Sequence, residues 1–378
     1  MSQRVVGLDL LRSLAIAGVV LSHGFGLLGT HVPGLHGFGH AGSFGVDLFF
    51  VLSGYLIGGI LLDLGADLSS GRTVLSFWLR RWWRTLPNYF LFLALNVPFM
   101  LYVWKLPVNL GDFLWKFPLF WQNLAWRHPP FFPESWSLAV EEWFYLLFPL
   151  LVWIGLRFTK RYTLVIAATA LLLLVGPLVL RHTMAPPEIW AEDLRKVVIY
   201  RLDAIMYGVL AVAACRRWPD ATHRWRFVWL TLGLICFGIS YRSFYVIDLQ
   251  TSWFAKTWLS SLITLGFALM MPWARALGST GWVPLDQTTN AIARWSYSMY
   301  LWNVPLIIAA QIWFGDAARA SAGVAIPAFF VYLGLVLGLS ALVYSCYERP
   351  MMRWRDRFAL GRATAHAQPV IPPAPHSP

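Results

Sequence analysis

Apolar stretches close to 20 residues long recur along the chain, near positions 9–28, 44–63, 86–104, 138–156, 162–180, 199–215, 227–247, 256–272, 295–313 and 323–345. A helix needs ~20 apolar residues to cross ~30 Å of hydrocarbon, and it satisfies its backbone hydrogen bonds without water. The expected fold is therefore all-α, a polytopic transmembrane helix bundle of about ten spans. Charged residues make up only 13% of the 378, against ~25% in a soluble domain. Such a composition excludes a disordered chain, a collagen, a disulfide-rich scaffold and an ordinary cytosolic enzyme. One transmembrane domain over 1–350 is expected, followed by a basic, then Pro-rich, flexible tail over 351–378.

The formal charge of +12 raises nucleic-acid binding as a possibility, and the position of the charges argues against it. If the N-terminus is cytoplasmic, 20 of the 30 basic residues fall on the cytoplasmic side, among them Arg4, Arg12, Arg72, Arg80, Arg81, Arg84, Arg357 and Arg362. This is the positive-inside pattern, with both termini cytoplasmic. An integral, multi-pass membrane protein is expected, with the bilayer as partner and no nucleic acid. Ala15-Ile16-Ala17 resembles a signal cleavage site, but Asp9 and Arg12 interrupt the apolar run before it, so a retained first span is expected. Cys215, Cys236 and Cys346 show no metal spacing. Neither do His31, His36 and His40, which lie in a Gly-rich loop, so no metal site is expected. Internal repeats of the kind found in transporters are not evident.

An ionised side chain at mid-membrane costs ~2.5–3.5 kcal/mol on insertion scales, which makes polar residues within spans functional candidates. Arg12 and His23 lie eleven positions apart on the first span. Eleven steps of ~100° return to within ~20° of the same face, and ~1.5 Å per residue separates the two by ~16 Å. One helix thus presents a cation near the cytoplasmic boundary and an imidazole, the natural proton-transfer group near neutral pH, well into the bilayer. A histidine hydrogen-bonded at a helix end is the competing reading.

Arg80, Arg81 and Arg84 are interleaved with Trp78, Trp82 and Trp83 and closed by Pro87. Arg81 and Arg84 share a helix face. Guanidinium groups clamp phosphates and indoles stack on adenine, so a coenzyme A thioester suits this cluster; an interfacial Trp/Arg anchor is the alternative. In the segment 134–145, Glu141 and Glu142 point ~100° apart on a helix, and Glu141 and Tyr145 are i, i+4 neighbours. A carboxylate beside His23 could fix its tautomer and stabilise its imidazolium. Arg201 and Asp203, at the start of the sixth span, can pair with each other or with further buried charges, or can contact an acceptor.

Together these segments resemble the acyltransferase-3 family of integral membrane acyltransferases, which includes bacterial O-antigen and exopolysaccharide O-acetyltransferases. Leu8-Asp9-Leu10-Leu11-Arg12 through His23 is similar to its Arg-x10-His motif, and Gly45-Val46-Asp47 through Ser53-Gly54-Tyr55 to its second-span signature. Arg80-Arg81-Trp82-Trp83-Arg84-Thr85-Leu86-Pro87 and Trp136-Ser137-Leu138-Ala139-Val140-Glu141-Glu142 resemble its Arg-x-x-Arg and Trp-Ser-Leu-x-x-Glu segments. Tyr200-Arg201-Leu202-Asp203 with Gly208, Ser296 through Trp302, and Tyr347-Glu348-Arg349-Pro350 resemble later motifs.

The resemblance implies transfer of an acyl group, commonly acetyl, from cytosolic acyl-coenzyme A to a hydroxyl of a cell-surface or lipid-linked saccharide, with no tightly bound cofactor. It makes His23 the essential histidine and Arg12, Arg81 and Arg84, with Arg80, the donor end. Glu141 is favoured over Glu142 because family members often vary the second acid. Asp47, Ser53, Ser137, Tyr145, Arg201, Asp203, Tyr300 and Asn303 are the remaining pocket or acceptor candidates. The family's ninth span commonly reads Tyr-Leu-x-His where this chain has Tyr300-Leu301-Trp302-Asn303. Asn303 exchanges no proton near pH 7, so an acid-base task falls to His23 alone, as general base or as acyl-accepting nucleophile. No fused hydrolase-like domain is expected in the chain. A flippase for a lipid-linked saccharide, an acyltransferase for a small molecule, and an inactive regulatory relative are the alternatives.

Overall fold

A computed structural model describes residues 5–107, 109–184 and 186–358. The expectations for Arg4, for the side chains of His36 and Arg357, for Arg362 and for the Pro-rich tail fall outside it. The described residues form helices α1 (Val6–Gly24), α2 (His36–Ser43), α3 (Gly45–Leu64), α4 (Gly71–Pro98), α5 (Ser135–Phe158), α6 (Tyr162–Thr183) and α7 (Leu202–Arg217). They continue with α8 (Pro219–Arg224), α9 (Arg226–Val246), α10 (Ser260–Ala276), α11 (Val283–Ala320), α12 (Ala322–Val343) and α13 (Arg349–Phe358). No strand occurs among them, and the chain folds as an all-α polytopic bundle.

All ten apolar stretches fold as helix, and among the described residues eight helices are long and apolar enough to cross a membrane. The sixth and ninth stretches miss that standard. α7 has only 16 residues, and the uncharged middle of α11 is made less apolar by Ser296, Ser298, Asn303 and Gln311. The third stretch begins earlier than its apolar run. α4 starts at Gly71 and passes through the Arg/Trp cluster and Pro87, ending in a π-helical turn at Phe99–Trp104. The Arg/Trp cluster is therefore helical, as a shared face for Arg81 and Arg84 requires.

Small residues set the closest crossing. α3 packs most extensively on α7. A Cβ on Gly54 would lie 1.9 Å from the Ile205 carbonyl oxygen, and one on Gly208 would lie 2.1 Å from that of Val51. Only glycine permits this approach, which gives dispersion contact where lipid offers no hydrophobic drive. α11 packs on α12 and α1, and α10 packs on α9. Between α4 and α5 a long non-spanning segment folds over one end of the bundle. Phe120 and Phe132 within it hold left-handed backbone, with φ of 56° and 49°. It is joined to the strap before α7 by the Val198 and Ile199 amides, which donate to Asn123 O (2.9 Å) and Leu124 O (3.1 Å).

Candidate functional site

α1 carries the two poles of the site. At its N-terminal end, Arg12 lies within electrostatic range of Asp9, Arg81, Glu141 and Tyr145. Arg84 in turn lies within range of Arg81, Arg12, Glu348 and Arg355. The three arginines expected at the donor end thus converge from two helices. Arg84 keeps accessible surface, and Arg12 and Arg81 are partly accessible. Arg80, one residue before Arg81, leaves the helix ~100° away.

Arg81 is held on three sides. Its Nη2 donates to the Tyr145 hydroxyl at 2.9 Å and lies 3.7 Å from Glu141 Oε2. The guanidinium carbon stands 4.3 Å from the Tyr145 ring centre. Ser53 donates to the other Glu141 oxygen at 2.7 Å. Glu142, buried on the adjacent face, accepts from Thr85 at 2.8 Å. Glu348 accepts from Asn88 and Ser298, each at 3.0 Å, and closes this end of the cluster.

At the other pole, His23 is exposed while Val19, Val20 and Gly24 around it are buried. Its Nδ1 lies 2.5 Å from Asn303 Oδ1. The amide nitrogen of Asn303 donates to Met299 O (3.3 Å) and Tyr300 O (2.5 Å), two carbonyls that can only accept. That assignment leaves Oδ1 as the atom facing His23, so Nδ1 carries the hydrogen and Nε2 the lone pair. Asn303, fully buried, therefore does the tautomer-fixing work expected of a carboxylate. Glu141 sits instead with Arg81 and Ser53.

Ser137 and Tyr300 lie between the poles. Their hydroxyls are 2.7 Å apart, and Tyr300 also donates to Glu134 O at 3.0 Å. Tyr300 lies within electrostatic range of Glu141, Glu134 and Arg195. A polar seam thus runs from the arginines to Glu141 and Ser53 and, by the electrostatic reach of Glu141 to Tyr300, on to Ser137, Asn303 and His23. The Lys196 ammonium, paired with Glu192 at 2.6 Å, acts on His23 from the strap before α7.

Asp47, Arg201 and Asp203 do not join that seam. Fully buried Asp47 pairs with Arg195 at 2.9 Å and with Arg201. Asp203 takes a two-point contact from Arg181, at 3.1 and 2.8 Å, and a hydrogen bond from Ser261 at 2.7 Å. Arg181 also donates to Thr257 O (3.1 Å) and to Tyr200 O, which uses its whole fork. Arg201 and Asp203 thus pair with other buried charges, Asp47 and Arg181, rather than with each other. Sequence reasoning passed over Arg181, Arg195 and Lys196. Their signal was available, since all three are basic residues on the side that the positive-inside rule leaves poor in them.

The sequence profile of the acyltransferase-domain family Acyl_transf_3 matches residues 5–345. The chain belongs to this family, and it is a multi-pass membrane protein. A Staphylococcus aureus (strain COL) protein whose name describes it as a provisional O-acetyltransferase is 25% identical over 94% of this chain and 59% of its own length. The O-acetyltransferase OatA of Staphylococcus aureus strain NCTC 8325 is 24% identical over 92% of this chain and 57% of its own length. The chain thus spans less than three fifths of these curated relatives. No solved structure matches it.

Proposed function

We propose that the protein transfers an acetyl group from cytosolic acetyl-coenzyme A to a hydroxyl of a saccharide on the opposite side of a bacterial cytoplasmic membrane. One observation carries the reading. Arg12 and His23 stand on one face of α1 some ~16 Å apart, each embedded in its own cluster and joined by the polar seam. An extended pantetheine arm bridges such a span. The basic excess at the Arg12 end supports a cytosolic position for that end.

Arg12, Arg81 and Arg84 hold the phosphates of the nucleotide. The thioester carbonyl comes to His23, whose Nε2 lone pair takes the proton of the acceptor hydroxyl as its oxygen attacks. The carbon–sulfur bond breaks, and the imidazolium returns its proton to the departing thiolate. The ester and free coenzyme A are the products. Asn303 keeps Nε2 unprotonated by holding the hydrogen on Nδ1. This supports an active transferase despite the missing ninth-span histidine. Attack by Nε2 itself, giving an acyl-imidazole, is the alternative chemistry, and rapid quenching followed by mass spectrometry of the α1 peptide separates the two.

The test is transfer of radiolabel from acetyl-coenzyme A by protein in lipid nanodiscs. His23→Ala is expected to abolish transfer at unchanged abundance. Wild-type rates in that variant would remove His23 from the chemistry.

A further inference from the structure

The segment before α5 buries polar groups that its packing does not use. Gln122 and Asn123 are fully buried and Glu134 is 2% exposed. Their donors are engaged. Gln122 Nε2 lies 3.4 and 3.5 Å from Ser135 O and Oγ, and Asn123 Nδ2 donates to Trp136 O (3.0 Å) and Lys196 O (2.5 Å). Their acceptors are not: Gln122 Oε1, Asn123 Oδ1 and both carboxyl oxygens of Glu134 are buried without a hydrogen-bond partner. A buried acceptor left unpaired loses its hydration without replacement, and native folds keep such atoms few.

Two links tie these groups to the histidine. Asn123 holds the carbonyl of Lys196, whose ammonium acts on His23. Tyr300 donates to the Glu134 carbonyl and supplies the carbonyl that anchors Asn303, the partner of His23. The orphans are acceptors, so their ligand must donate. A cation is disfavoured by Lys196, and by Arg195, which acts on the neighbouring Tyr300. Burial pushes the Glu134 carboxyl up to about 8, so near neutral pH it is uncharged and can donate as well as accept. A neutral polyol meets all these conditions. The same segment exposes Trp121, whose indole suits the C–H face of a sugar ring, while Lys116 covers the rings of Trp115 and Trp126.

We propose that Gln122, Asn123 and Glu134 form the acceptor subsite, binding adjacent hydroxyls of a neutral saccharide so that one of them meets Nε2 of His23. This rests on the acyltransfer reading above and names the part of the site that selects the acceptor.

The experiment supplies radiolabelled acetyl-coenzyme A to nanodisc-embedded protein with the methyl β-glycosides of glucose, galactose and N-acetylglucosamine, water competing as acceptor. The wild type is expected to acetylate at least one glycoside. Gln122→Leu and Glu134→Leu are expected to lower the ratio of acetyl-glycoside to free acetate at least tenfold and to raise the glycoside KM. Glu134→Gln, which keeps shape and hydrogen bonding, is expected to recover most of the ratio, and it serves as the variant to compare if a leucine variant does not accumulate. An unchanged ratio in the leucine variants, a Glu134→Gln protein as impaired as Glu134→Leu, or a wild type that forms acetate alone overturns the subsite. A wild type that consumes no acetyl-coenzyme A overturns the acyltransfer reading itself, which is a distinct outcome.

Discussion

The carboxamide of Asn303 accepts a hydrogen bond from Nδ1 of His23 at 2.5 Å across 280 residues of sequence, and its own amide is anchored to two carbonyls of α11. Donors that are already committed cannot swing round to face the imidazole. The tautomer of His23 is thereby fixed without a buried charge beside it, and Nε2 stays available as a base.

Asn303→Leu keeps the branched outline of the side chain and removes that acceptor. The ring is then free to place its hydrogen on either nitrogen and to rotate. Loss of kcat by about 10–100-fold is expected, smaller than the ~10⁴ known for a triad left in the wrong tautomer, with little change in the KM for acetyl-coenzyme A. Steady-state kinetics at matched abundance check this; a kcat within twofold of wild type would assign Asn303 to packing.

At the arginine cluster, Arg84 and Arg81 should fail differently. Arg84→Ala removes a charge from the accessible wall and is expected to raise the KM for acetyl-coenzyme A at least ~10-fold, or about 1.4 kcal/mol, at similar kcat. Arg81→Ala also releases the Tyr145 hydroxyl and leaves Glu141 without its 3.7 Å counter-charge, so kcat should fall as well. Arg81→Lys should not rescue it, because an ammonium cannot both stack and fork. Acetyl-dephospho-coenzyme A, which lacks one phosphate, gives the check. The wild-type preference for the full donor should shrink in whichever variant has lost the contact to that phosphate, and a preference unchanged in both would return the cluster to a topological role.

What the sequence made legible follows from the range of the interaction. Arg12 and His23 share a face by helical periodicity alone, and the apolar runs are local, so these survive into the structure. The joining of Arg81 and Arg84 to Arg12 needed the resemblance to suggest it. Asn303 as the partner of His23, Arg181 as the partner of Asp203 and Lys196 within electrostatic range of the imidazole are relations between distant segments that leave no periodic trace. Glu141 shows the same limit: its helix and its face were readable, while its neighbours, Ser53 and Arg81, depend on how α3 and α4 meet α5.

The Arg181–Asp203 pair is a stability element. Both side chains are at most 2% exposed, so removing either strands an opposite charge in the bundle, at a cost of about 3–5 kcal/mol. Arg181→Met and Asp203→Leu should each lower the unfolding temperature and the yield. The double variant should recover part of the loss, because no unpaired charge remains. Thermal unfolding of the four proteins in one detergent measures the coupling; additive losses would show that the two residues act independently.

His128 and Glu134 should give the segment before α5 opposite pH responses. Burial, aided by Lys196, pushes the His128 imidazole down to about 3 from its usual 6.5, so the unfolded chain binds the extra proton and stability rises as pH climbs from 3 to 6.5. Burial pushes Glu134 up to about 8 from its usual 4.5. Here the folded chain binds the extra proton, so the contribution of Glu134 is most favourable below pH 4.5 and is lost as pH rises to 8. Above pH 6.5 only the Glu134 slope remains. Glu134→Gln is therefore expected to match the wild-type unfolding temperature at pH 4.5 and to exceed it by at least ~2 °C at pH 8. Unfolding temperatures of the two proteins across this range test the sign, and a gain at pH 4.5 that vanishes at pH 8 would place the Glu134 carboxylate in contact with a counter-charge instead.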